Sequence, residues 1–228
     1  MSTTNSLSNL DGQIATSRRK LTALQDSIRR DAAQFEKDRA ALFTDSGKQM
    51  YNSDIHQERL SALVARATDA AQATIVQIVA EQEHLATLQQ AARAESLSLM
   101  GYSAEELQRA TALRPFIEAD VATLDARNLT ANVHAAVHGG DRVAAMLYLR
   151  LLPARYDEAA RGKADWWSSE LDVLYRGMQG DAAKHLDDVE ATRQLSIDVQ
   201  LDASKLRRVA DGTYEKAQSD FARDVRSW

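Results

Sequence analysis

The sequence predicts an all-α protein with long N-terminal coiled-coil helices, a central bundle of short helices and a long C-terminal helix. Three observations carry that expectation. Only two prolines and nine glycines occur in 228 residues, so little interrupts a helical backbone. Apolar residues recur at heptad or helical spacing along most of the chain. Where the periodicity stops, helix-capping side chains and glycines stand at the breaks. The expected division is a hairpin or coiled-coil arm over 1–99, a compact bundle over 100–180 and a long terminal helix over 181–228.

In the first segment, from Leu7 to about Phe43, the residues Leu7, Ile14, Leu21, Ile28, Phe35 and Leu42 recur at the heptad interval of an a position. The companion d series is Leu10, Ser17, Leu24, Asp31 and Asp38, apolar at its start and polar toward its end. At the helical rise such a segment reaches about 55 Å, and a stripe this narrow is satisfied only by another helix lying against it. Spacing does not distinguish a second copy from the chain's own next helix. The residues expected to carry self-association are Leu7, Leu10, Ile14, Leu21, Leu24, Ile28, Phe35 and Leu42. Arg18, Arg19, Lys20, Arg29 and Arg30 fall off this seam among Asp26, Asp31, Glu36 and Asp38, the pattern of a solvated face.

The periodicity stops at Asp45, Ser46 and Gly47, and Asn52, Ser53 and Asp54 supply capping side chains for a second helix running to about Leu99. Its broad face carries Leu60, Val64, Ala67, Ala71, Ile75, Ile78, Leu85, Leu88 and Ala92, with alanines that permit close helix approach. A short connection normally joins spatial neighbours, so the first two helices are expected to fold as an antiparallel hairpin.

Gly101 ends the second helix, and Ser103 with Glu106 forms a capping box. Short helices are expected from Ser103 to Leu113, Pro115 to Ala126, Asn128 to His138 and Asp141 to Leu152, with Pro115 opening a new first turn. Gly139, Gly140 and Asp141, and again Gly180 and Asp181, pair a glycine stop with an aspartate cap. The run from Val143 to Leu152 is the most hydrophobic in the chain, followed by Tyr156, Trp166, Trp167, Leu171, Leu174 and Tyr175. The compact core belongs there. Because adjacent helical positions point roughly 100° apart, Trp166 and Trp167 are expected to face different surroundings.

The last helix starts near Asp181 with a stripe through Leu186, Val189, Leu195, Val199, Leu206 and Val209. Near its end Tyr214, Ala217, Phe221, Val225 and Trp228 share a face. Of these, Tyr214, Phe221, Val225 and Trp228 are the expected partner-docking residues, with packing against the chain's own bundle as the alternative.

Residues with the spacing of a chemical site are few. His134 and His138, four apart on one helix, have the spacing of two imidazoles on one metal ion, but two ligands do not complete a site and no glutamate base lies between them. Glu81 and His84 make half of a carboxylate-bridged di-iron pattern, and the second half is missing. Phosphate-loop and dinucleotide glycine patterns are absent from the sequence. No catalytic residue, cofactor or metal is therefore expected. A net charge of -5 argues against binding to phosphate backbones. Without cysteines the chain has no disulfide or thiolate chemistry. No segment approaches the ~20 apolar residues that span a bilayer, so no membrane partner and a cytoplasmic location are expected.

The stretch from Met50 through Tyr51, Asn52, Ser53, Asp54, Ile55, His56, Gln57, Glu58 and Arg59 to Leu60, leading into an Ala/Glu/Gln-rich helix, resembles helical head-assembly proteins of tailed bacteriophages. Asn132 to Ala145 is a second point of similarity. The resemblance implies a scaffolding role: an elongated, self-associating protein that docks on a capsid protein through a C-terminal helix, in the host cytoplasm or the virion. Such docking segments are often basic, whereas here Lys205, Arg207, Arg208, Lys216, Arg223 and Arg226 are offset by Asp211, Glu215, Asp220 and Asp224. The expected function is a non-enzymatic, homo-oligomeric assembly protein, in its sharpest form a phage scaffolding or other head structural protein. Another virion component, a membrane-surface coiled-coil protein and a metal-binding helical-bundle enzyme are the alternatives.

Overall fold

The computed structural model describes residues 4–43, 49–98, 102–159, 173–177 and 182–225. Among them the protein is all-α. The helices are α1 (Thr4–Ala40), α2 (Ser53–Ser96), α3 (Ala104–Thr123), α4 (Ala126–His138), α5 (Arg142–Ala159), α6 (described over 173–176) and α7 (Ala182–Val225). The described residues contain no strand, and one isolated antiparallel bridge joins Phe43 to Gln49.

Two compact units emerge, one of Met1–Asp11 with Thr87–Glu190 and one of Gly12–Ala86 with Ala191–Trp228. They do not follow the sequential division 1–99, 100–180 and 181–228. Each of α1, α2 and α7 contributes residues to both units, so a boundary drawn along the sequence cuts through sets of packed side chains.

In the second unit α1, α2 and α7 lie against one another. Lys20 of α1 meets Glu81 of α2, while further along α1 Ile28 and Phe35 share a core with Ala67 and Ala71 of α2. Rising numbers on α1 therefore match falling numbers on α2, the antiparallel hairpin expected from the short connection. Gln82 of α2 donates to Ser196 and Gln200 of α7, and Arg29 of α1 pairs with Asp202 of α7. The shared core joins Ile28 and Phe35 to Ala67, Ala71, Ala203, Leu206 and Ala210. The alanines of α2 and α7 allow close approach, and the larger α1 side chains fill the space left between them.

This arrangement decides what the heptad stripe does. Ile14, Leu21, Ile28, Phe35 and Leu42 are buried within a single chain, Leu21 and Ile28 completely. At the d positions Leu10 and Ser17 are buried, whereas Leu24, Asp31 and Asp38 are half-buried. The side chain of Leu7 lies outside the described residues. For Ile28 and Phe35 the covering helices are this chain's own α2 and α7. The expectation that Leu10, Ile14, Leu21, Ile28, Phe35 and Leu42 present a seam to a second copy gives way to an intramolecular seam, because their apolar surface is already removed from water, while Leu24 is only half-buried.

In the first unit α5 is central, packing against both α3 and α4. Val143, Met146, Leu149 and Leu152 of α5 are buried, as are Ile117 and Val121 of α3 and Leu129 and Val133 of α4. The hydrophobic run through Leu152 thus forms a core as expected. Leu174 and Tyr175 are also buried, and the Tyr175 hydroxyl donates to the Leu149 carbonyl at 3.1 Å. Tyr156 falls on α5 with its side chain outside the described residues, and Trp166, Trp167, Leu171, Gly180 and Asp181 lie outside them altogether.

Local signals explain most helix ends. Ser103 and Glu106 form the reciprocal capping box, at 2.7 and 3.2 Å. Asn52 accepts from Ile55 N at the start of α2. Asp141 accepts from Ala144 N, and Gly140 takes the left-handed conformation at φ 74°, which costs glycine little. Two expected breaks are absent. Helix α3 runs through Pro115 as one element instead of ending at Leu113, because the proline is exposed and the bond it forfeits faces water. Beyond it, Ile117 and Val121 remain buried. Likewise α5 continues past Leu152 to Ala159. Helix α4 starts at Ala126 rather than Asn128, since the Asp125 carboxylate caps it by accepting from Asn128 N at 2.8 Å.

Candidate interaction surface

With the α1 stripe buried, exposed apolar side chains on the remaining faces become the candidates for association. In the second unit Val76 and Val79 of α2 are 60% and 45% exposed, and Ile197 and Leu201 of α7 are 40% and 58% exposed. Helical periodicity explains the exposure. Val76 falls about 160° around the helix from the buried Ile78, and Leu201 about 160° from the buried Val199. The bonds from Gln82 to Ser196 and Gln200 fix the register between α2 and α7. In an antiparallel pair this places Val79 level with Leu201 and Glu83 level with Ile197. The four aliphatic side chains thus share one stretch of two neighbouring helices.

On another side of the same unit a groove of about 410 Å³ runs between α1 and α7. Its floor includes Ile28, Phe35, Leu206 and Val209, and the Arg29–Asp202 ion pair crosses its rim at 3.0 Å. Glu36 and Lys205 add one charge of each sign.

The remaining residues singled out in the sequence fare differently. Glu81 is buried in the bundle with one carboxylate oxygen 3.5 Å from Lys20 Nζ, a contact that ties α2 to α1. His84, three residues on, is half-buried. The rings of His134 and His138 do come together, His134 Nδ1 and His138 Nε2 lying 3.4 Å apart. Among the described residues no group of three or more His, Cys, Asp or Glu side chains is arranged to hold a metal ion. Tyr214, Phe221 and Val225 fall on α7, but their side chains, and the whole of Trp228, lie outside the described residues.

Periodicity gave no hint of several polar arrangements. His185, at the start of α7, is buried in the first unit between two carboxylates, with Nδ1 2.8 Å from Glu95 and Nε2 3.2 Å from Asp11. The Tyr148 hydroxyl donates to Asp120 at 2.5 Å, and burial together with that carboxylate pushes it up to about 12. His56 is buried edge-on against Phe43 at 5.1 Å, and burial lowers its pKa. Each arrangement joins residues far apart in the chain or on separate elements, which sequence spacing does not encode.

No protein-family model matches the chain, and no curated protein or solved structure shows significant similarity to it. Among the described residues no helix is long and apolar enough to cross a membrane.

Proposed function

We propose that this chain is a non-enzymatic helical assembly protein that associates through the outward face of α2 and α7. The observation that carries the reading is the group Val76, Val79, Ile197 and Leu201, all exposed on adjacent helices. Scattered surface aliphatics are ordinary, whereas apolar side chains gathered on one face mark association surfaces. The resemblance in Met50 to Leu60 and Asn132 to Ala145 supplies the sharpest form of the proposal, a scaffolding or other head structural protein of a tailed phage that self-associates and docks on a coat protein.

Light scattering behind size exclusion, over a wide concentration range, tests the association. The wild-type mass is expected to rise with concentration, and the mass of a Val76→Asp/Leu201→Asp variant to stay at that of one chain. Both positions are exposed, so circular dichroism of the variant should match the wild type. A wild type that remains monomeric at every concentration refutes self-association, and a variant that still assembles moves the interface elsewhere.

A further inference from the structure

We propose that His134 and His138 form a two-imidazole chelate for a divalent zinc ion on the exposed last turns of α4, with water completing the coordination. The residues stand one helical turn apart, which brings their side chains over the same face. Their facing nitrogens, His134 Nδ1 and His138 Nε2, are 3.4 Å apart. Two nitrogens bound to one tetrahedral zinc at the usual ligand distance lie about 3.3–3.4 Å apart. The separation needed for a shared ion is therefore already present.

Ring orientation shows what binding requires. The planes are within 13° of each other and the centroids 5.6 Å apart. With the nitrogens 3.4 Å apart, both lie close to the line joining the ring centres. In that pose one ring nitrogen faces the other directly. Adjusting the χ1 and χ2 torsions so that both lone pairs tilt off that line directs them to one tetrahedral centre. The ion would thus take the place of the direct contact between the two rings.

The location favours a cation. His138 is the last residue of α4, where the helix dipole places partial negative charge. The nearby carboxylate of Asp141 is engaged otherwise, one oxygen paired with Arg109 at 2.6 Å and the other capping Ala144 N. The chelate consequently rests on the two imidazoles, and its affinity depends on both. Among the other histidines, His56 and His185 are buried and His84 is half-buried on α2.

Calorimetric titration of the untagged full-length chain with zinc chloride tests the proposal. One ion per chain is expected. Removing one of two linked ligands should weaken binding by about tenfold or more, so His134→Ala and His138→Ala should each do so while His84→Ala leaves the affinity unchanged. Circular dichroism establishes that the variants are folded, as expected for exposed His138 and half-buried His134 and His84. No zinc binding by the wild type, binding unaffected by both His134→Ala and His138→Ala, or loss on His84→Ala alone would overturn the assignment.

Discussion

His185 shows how one buried polar side chain ties distant segments together. Each of its ring nitrogens faces a carboxylate oxygen, and the carboxylates come from α1 and α2 while the ring comes from α7. Leaving a buried polar partner of such a contact unsatisfied costs about 1–3 kcal/mol. His185→Ala is accordingly expected to destabilise the first unit by about 2 kcal/mol, measured as a lower urea midpoint. Tyr148 gives a prediction in alkali. Its folded-state value of about 12 lies above the ordinary value of 10.0, so the fold favours the neutral hydroxyl. That contribution is fully present below about pH 10 and is lost as pH rises toward about 12. Tyr148→Phe should remove this part of the alkaline slope in urea unfolding. His56 acts with the opposite sign, because burial lowers its pKa from 6.5. Stability tied to its neutral form is present above about pH 6.5 and falls as the solution is acidified. His56→Leu should flatten the acid limb relative to wild type, and an unchanged limb would remove His56 as its source.

At the scale of elements, α1 and α3 make contrasting predictions. Ile28 is fully buried in the core formed with α2 and α7. Ile28→Ala should therefore cost about 2–5 kcal/mol through lost burial and the cavity left behind. Ala33 lies on the same helix but is exposed, and Ala33→Ser should change stability by less than about 0.5 kcal/mol. The comparison by urea unfolding separates a filled seam from general helix propensity. In α3, proline within the helix forfeits a backbone bond and strains the preceding turn. Replacing exposed Pro115 with alanine should raise stability, by up to about 3 kcal/mol, seen as a higher melting temperature by circular dichroism. No gain would mean that a bend at Pro115 is needed to seat Ile117 and Val121.

At the scale of the whole molecule, the proposed function ties association to the location of exposed apolar surface. A seam stripped of its heptad partner would drive two copies together through α1, but that surface is consumed inside the chain. Under the proposed function, Leu21→Asp should unfold the second unit, since it introduces an unpaired charge at a fully buried position. Val76→Asp with Leu201→Asp should instead leave the fold intact and lower only the mass in solution. Circular dichroism and light scattering on both proteins distinguish a core seam from a docking face. Equal loss of structure in the two variants would contradict the division.

By itself the sequence determined the all-α class, the long helices, the buried a positions and the caps at Ser103 and Asp141. These follow from local causes: few helix breakers, periodic apolar residues, and side chains that reach backbone groups three residues away. It misplaced the breaks at Pro115 and Leu152, because burial on one side of a helix offsets the loss of a backbone bond on the other. Of the candidate site, the His134–His138 spacing was legible in the sequence. The face of Val76, Val79, Ile197 and Leu201 was not. Exposure at those positions depends on which side of α2 and α7 turns inward, and a helix period alone does not state which neighbour covers it. Only the tertiary structure decided that the partner of α1 comes from its own chain. A heptad stripe specifies that a helix must lie against it, whereas chain connectivity and packing determine which helix does so.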